Sequence, residues 1–89
     1  MNDGQLEDII LRMTAERGTG KSICPSEAAR AAGAANDTDW HPLMQPVRRA
    51  AVRLAKAGRI TILRKGKPVD PDAFKGIYRL TTGSQEDPL

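Results

Sequence analysis

The spacing of the apolar residues changes at Gly58, and this change constrains the fold more than any other feature of the chain. Before Gly58, apolar side chains recur at the period of an amphipathic helix. After it, residues 59–64 are rich in β-branched side chains and alternate between two faces, which indicates a strand. Because only 3% of the residues are aromatic, the core of this α+β domain must be mainly aliphatic.

Two helices are predicted in the first half of the chain. Residues 3–17 carry one apolar stripe, with Asp3 as the expected N-cap and Gly18 as the expected stop. The second helix begins at Pro25, because proline suits the first helical position, and Glu27 completes a capping box. We expect Gly33 to end this helix.

Pro46 determines where we expect the third helix to begin. A proline inside a helix loses a hydrogen bond and clashes with the preceding turn. Residues 40–45 therefore form either a separate turn or the first arm of a kinked helix, and we favour a break with the main helix at 46–57. Its apolar face consists of Val47, Ala50, Ala51 and Leu54.

Two strands and one long loop are predicted after Gly58. Residues 77–81 are the expected partner of the strand at 59–64, and the connection at 65–76 contains two glycines and two prolines. A brief strand is also possible at 22–24. The order helix, short strand, helix, helix, strand, loop, strand is that of a winged helix-turn-helix, a three-helix core with a β-hairpin wing.

We accordingly expect one winged-helix domain at 1–83 and a flexible C-terminal tail at 84–89. The net charge of +3 is unevenly distributed over this arrangement. Residues 1–44 contain four basic and seven acidic side chains, whereas residues 45–83 contain ten basic and two acidic ones. Such asymmetry favours a polyanionic partner, although the acidic half of the chain could instead neutralise the basic half within the fold.

Duplex DNA is the partner that this basic half fits best. Arg49, Arg53 and Lys56 are expected on the solvent face of the third helix, where they would contact phosphates or base edges. Lys65 and Lys67 on the wing would add backbone contacts. The leading hypothesis is a DNA-binding module that serves as a transcriptional regulator. The alternative is a protein–protein interaction domain of the same fold without DNA binding.

Three other side chains have structural interpretations. We expect Arg48 to pair with Asp70 and hold the long loop, and Arg79 to have a structural role as well. Trp40 is expected to anchor the core beneath the third helix.

The sequence argues against an enzyme, a metal site or a bound cofactor. A Cys24–His41 nucleophile pair is formally possible, but one cysteine and one histidine cannot supply a metal site without several carboxylates. Gly66-Lys67 lacks the spacing of a phosphate-binding loop.

The sequence also suggests where the protein is located. The absence of a long apolar run indicates no membrane span, and a single cysteine without a signal-like start suggests a cytoplasmic protein. The oligomeric state is open, with a homodimer as one option.

Several short segments, in their combined order, match a known family, and they lie at 22–29, 40–44, 47–51, 54–58, 64–66, 69–71 and 75–80. Through them the chain resembles a bacterial family of small winged-helix proteins that is catalogued as a domain of unknown function. The resemblance covers about residues 5–82, and it implies a winged-helix fold without an established activity or catalytic residues.

Overall fold

A computed structural model describes residues 2–83 and has three helices and a three-stranded antiparallel sheet. This α+β arrangement matches the predicted fold class and is consistent with a winged helix. The tail proposed at 84–89 lies outside the described residues. The elements are α1 (Asp3–Arg17), α2 (Pro25–Ala35), a 3₁₀ turn (His41–Leu43), α3 (Met44–Lys56), β1 (Ile60–Arg64), β2 (Lys67–Pro68) and β3 (Arg79–Thr82).

One core joins all of these layers. The apolar stripe predicted for α3 is buried in full, and α1 contributes Leu6, Ile9 and Ile10. Ala28, Ala29 and Ala32 of α2 are fully buried and let the three helices approach closely. Ile62 and Leu80 close the core from the sheet, so the helices and the hairpin stabilise one another through shared apolar burial.

The cap of α1 differs from the expectation. Asn2, not Asp3, is the N-cap, and its side-chain oxygen accepts a hydrogen bond from the Gln5 amide at 2.8 Å. Asn and Asp are equally good N-caps, so the sequence did not distinguish the two positions. Asp3 lies in the first turn instead, where its charge favours the helix dipole.

Gly33 does not end α2, as the sequence had suggested. It is buried inside the helix, which continues to Ala35. A Cβ atom at Gly33 would lie 2.8 Å from the Thr38 carbonyl oxygen and 3.0 Å from the Trp40 Cβ. The glycine is therefore required by the close return of the following loop.

Helix α3 begins at Met44, before Pro46, and runs directly out of the 3₁₀ turn. Pro46 is the third helical residue, and an amide at that position has no intrahelical acceptor. The predicted break therefore lies two residues too late. Because the helix starts at Met44, Gln45 belongs to the helix and is exposed on its surface.

The predicted long loop is only partly a loop. β1 turns back into β2 through a two-residue hairpin, with Arg64 opposite Lys67. Lys65 and Gly66 at the turn have φ values of 53° and 81°, the paired positive values of a tight hairpin turn. Irregular chain then follows from Val69 to Tyr78, before β3 pairs with the other edge of β1.

The short strand expected at 22–24 is a single antiparallel bridge between Ile23 and Leu80. The two residues exchange backbone hydrogen bonds of 2.8 and 2.9 Å. This bridge ties the segment before α2 to the outer edge of β3.

Candidate nucleic-acid interface

Arg49 lies on the solvent face of α3, opposite the buried stripe of that helix. Gln45, one turn earlier, is exposed on the same face. Within residues 2–83, neither side chain has a hydrogen bond or an ion pair to another side chain. Both retain their donor groups for an external partner, and Arg49 offers a fork of N–H groups that suits guanine or phosphate.

Arg53 is held by the first helix. Its Nε donates to Glu7 Oε2 at 2.6 Å, and its Nη2 lies 3.6 Å from Asp3 Oδ1. Nη2 is buried without a hydrogen-bond partner, although the side chain as a whole is 39% exposed. Asp3 and Glu7 in the acidic half of the chain thus neutralise Arg53. For this residue, the charge asymmetry is explained by neutralisation within the fold and not by a polyanionic partner.

Lys56 is also paired, but at the surface. Its Nζ lies 3.2 Å from Asp72 Oδ1, and both side chains are more than half exposed. Such a pair gains little stability and exchanges easily for another anion. Lys56 therefore remains accessible to a phosphate.

The hairpin turn carries the other two candidate residues. Lys65 and Lys67 are exposed on either side of Gly66, and within the described part of the chain neither has an ion pair. The turn holds them close in space because it is only two residues long. Lys65, Lys67 and Arg49 are thus the candidate residues without an internal counter-charge in residues 2–83.

Arg48 holds the irregular segment, but not through Asp70 as expected. Its Nη2 donates to the Phe74 carbonyl oxygen at 2.9 Å, and its guanidinium lies 4.0 Å from the centre of the Phe74 ring. Asp70 instead accepts a hydrogen bond from the Asp72 amide. The structural role expected for Arg48 is present, with an aromatic ring and a carbonyl in place of the carboxylate.

Phe74 and Tyr78 are both buried and meet edge to face at 5.0 Å between ring centres. They belong to the core beneath the wing and form no stacking platform for bases. Burial raises the pKa of Tyr78 above its ordinary value, although the Arg48 cation nearby opposes the shift.

The remaining side chains that the sequence singled out have structural contacts. Arg79 donates to Ser22 Oγ at 2.6 Å, in line with its expected role. Trp40 is half-buried against the core and stacks on His41 at 3.9 Å. A hydrogen bond from His41 lowers the pKa of Asp39. Cys24 Sγ lies 3.1 Å from Ser26 Oγ, so Cys24 and His41 have separate partners.

Sequence reasoning missed Gln45 and Lys21. A helix that starts at Pro46 leaves Gln45 outside it, although the spacing of Gln45 from Arg49 is helical. Lys21 is brought to the sheet by the Ile23–Leu80 bridge and by hydrogen bonds from Arg79 and Thr81, which no local pattern encodes. Within residues 2–83, no group of three or more His, Cys, Asp or Glu side chains is arranged to hold a metal ion. No helix in that range is long and apolar enough to cross a bilayer.

The fold and these contacts define a small α+β protein with an unpaired arginine on the exposed face of α3 and two exposed lysines at a hairpin turn. The chain belongs to the DUF3253 family, described as "Protein of unknown function", whose model matches residues 3–83. A search of curated proteins found no match.

Proposed function

We propose that this protein is a winged-helix module that binds duplex DNA in the cytoplasm and acts as a regulator rather than as an enzyme. The observation that carries the proposal is the unpaired Arg49, exposed beside Gln45 on the face of α3 that points away from the core. Arg and Gln are side chains that read purines in the major groove through paired hydrogen bonds.

The five candidate residues contribute unequally in this proposal. Arg49 is the base-reading residue, and Lys65 and Lys67 contact the phosphate backbone from the hairpin turn. Lys56 reaches a phosphate after leaving Asp72. Arg53 stays with Glu7, so its contribution is to fix α1 against α3 and to position the neighbouring residues.

Arg49→Ala tests the proposal directly, because Arg49 makes no contacts that would be needed for folding. We expect duplex affinity to fall by about 1–3 kcal/mol at low salt. Arg12→Ala is the matched control, since Arg12 is exposed on α1 and its loss changes the net charge equally. Fluorescence anisotropy with a duplex that the wild-type protein selects from a random-sequence pool would measure both. Absence of duplex binding by the wild-type protein at low salt would refute the proposal.

A protein-binding role is the second candidate, and one observation favours it. Ile77 is 86% exposed, and it borders an apolar groove of about 340 Å³ together with Cys24, Pro25 and Met44. An exposed apolar patch of this kind is common at protein interfaces. This candidate predicts that Ile77→Ser abolishes co-purification of a stoichiometric protein, while Arg49→Ala does not change it.

A further inference from the structure

A groove of about 440 Å³ lies on the face of the sheet that points away from the helices. Gly20, Lys21 and Ser22 form one wall, between α1 and α2. Leu63, Gly66 and Pro68 of the hairpin form the other. The groove is separate from the solvent face of α3, and no candidate from the sequence analysis lines it.

The wall at residues 20–22 is fixed by hydrogen bonds from three directions. Arg79 donates to both Ser22 Oγ and the Ser22 carbonyl, at 2.6 and 3.0 Å. Arg17 Nε donates to the same carbonyl at 3.1 Å, and the buried Thr81 hydroxyl donates to the Lys21 carbonyl. Because this wall is already ordered, ligand binding costs little additional conformational entropy there.

Positive charge surrounds the groove without a counter-charge in the segments that build it. Lys21 is exposed and has no ion pair within residues 2–83. At the other wall, Lys65 precedes Gly66 in the exposed hairpin turn, whereas Lys67 lies opposite Arg64 and therefore faces away from the groove side of Leu63 and Pro68. The sequence contains no Asp or Glu at 17–26 or at 40–69, so both walls come from acid-free segments.

The arginines that hold this wall also raise the positive electrostatic potential at the groove. Arg79 uses two of the guanidinium N–H groups on Ser22 and is exposed, so its remaining donors are available. Leu63 and Pro68 give the groove an apolar side, and low-dielectric walls strengthen the potential of nearby charges.

We infer that this groove is a phosphate-binding site centred on Lys21. The phosphate group is supplied by the backbone of a nucleic acid or by a free polyphosphate. The Lys21 ammonium donates to the phosphate oxygens, and Arg79, which lies opposite Leu63 on the same face of the sheet, contributes a second positive charge. The inference does not depend on α3 binding DNA, because the groove lies on another face of the protein.

Amide chemical shifts of the full chain provide the test. The isotope-labelled protein is titrated separately with inorganic pyrophosphate and with a short DNA duplex. Saturable shifts of the Gly20, Lys21 and Ser22 amides, on the wall remote from the hairpin turn, are expected with at least one probe. A response to pyrophosphate alone identifies a free phosphate ligand. A response to the duplex alone identifies the nucleic-acid backbone, and a response to both shows that the site accepts either.

Lys21→Ala is the decisive variant, and Arg12→Ala is its control. We expect Lys21→Ala to weaken the binding that shifts Gly20 and Ser22 by about tenfold, as for loss of a charge-assisted hydrogen bond. For a duplex, the salt dependence should also fall by about one phosphate contact. An unchanged affinity in Lys21→Ala, or an equal loss in Arg12→Ala, would overturn the inference, as would no shift with either probe.

The amide of Arg49 separates this inference from the proposed function. If the duplex shifts Arg49 but neither probe shifts the groove amides, the phosphate site is wrong and the DNA-binding helix stands. If a probe shifts the groove amides while the duplex leaves Arg49 unchanged, the phosphate site stands and the role proposed for α3 is wrong.

Discussion

At the residue scale, Gly33 shows how a single hydrogen atom in place of a side chain permits a tertiary contact. Glycine within a helix is unfavourable by roughly 1 kcal/mol relative to alanine, so its presence requires a compensating reason. The reason is the approach of Thr38 and Trp40, which leaves no space for a Cβ atom. Sequence alone suggested a helix end, because a glycine after an alanine-rich segment is more often a stop signal.

Gly33→Ala is therefore expected to destabilise the protein by about 1–3 kcal/mol, the usual range for overpacking. Gly4→Ala in α1 is the matched control, because its Cβ would lie 3.5 Å from the nearest atom, an ordinary contact. That substitution should be neutral or stabilising by up to about 1 kcal/mol. Urea denaturation of both variants measures the difference, and equal stabilities would contradict the role given to Gly33.

Tyr78 gives a second prediction at this scale, because it is the only tyrosine in the chain. Its raised pKa means that the folded state retains the phenol proton at a pH where the unfolded state has lost it. Stability should be fully present below about pH 10 and should fall as the pH rises toward the folded-state pKa. Ultraviolet absorbance reports the titration of the phenol directly.

The variant Tyr78→Phe separates this contribution from the titration of the lysines. It should reduce the loss of stability above pH 10 in urea denaturation series, because the variant has no phenol to ionise. The same pH dependence in both proteins would show that Tyr78 is not responsible.

At the element scale, Arg53 joins α1 to α3. Its ion pair with Glu7 is only partly exposed, at 39% and 30% for the two side chains, so solvent screens it less than a fully exposed pair. The pair Lys56–Asp72 is more exposed, at 55% and 60%, and links α3 to the segment before Phe74. Both pairs include a residue of α3, and the Arg53–Glu7 pair is the more buried of the two.

A double-mutant cycle should distinguish them. We expect a coupling energy of about 1 kcal/mol between Glu7 and Arg53 from Glu7→Gln and Arg53→Met, and a value nearer zero for Lys56–Asp72. Chemical denaturation of the single and double variants measures both cycles. A larger coupling for Lys56–Asp72 would contradict the difference drawn from burial.

The periodic elements were predictable, and their long-range contacts were not. The stripe of α3 and the strand β1 follow from local spacing alone. The partner of Arg48 was not predicted. Asp70 in the same loop carries the opposite charge and was expected instead of the Phe74 ring and carbonyl. The hairpin turn was also missed, because Lys65 takes a positive φ that is uncommon for a residue other than glycine.

At the scale of the whole molecule, helices and sheet share a single core, and the radius of gyration of 12.3 Å matches the roughly 12 Å of a compact domain this long. Charge distribution over such a small body was partly predictable. The sequence identified a basic half, and the fold then divided it into arginines held internally and cations left exposed. That division depends on distances between α1, α3 and the sheet, which composition does not contain.

Binding of DNA should stabilise the whole domain, if the proposed function is correct. A duplex at about one hundred times its dissociation constant adds about 2.7 kcal/mol to the free energy of unfolding. For a domain of this size, the melting temperature should rise by roughly 10 °C or more. Differential scanning fluorimetry at low salt measures the shift.

High salt should remove this increase, and Arg49→Ala should reduce it, because both weaken the complex. A melting temperature that does not change with saturating duplex would contradict binding to the folded state.

The clamp on Arg53 has a consequence for where a duplex can lie. Asp3 and Glu7 place two carboxylates beside the basic face of α3, on its α1 side. A phosphate that approaches from that side meets like charge, whereas Lys65 and Lys67 in the hairpin turn have no ion pair within residues 2–83. The carboxylates of α1 therefore repel a duplex from their side, and a bound duplex would be displaced away from α1, so that its footprint is asymmetric about α3.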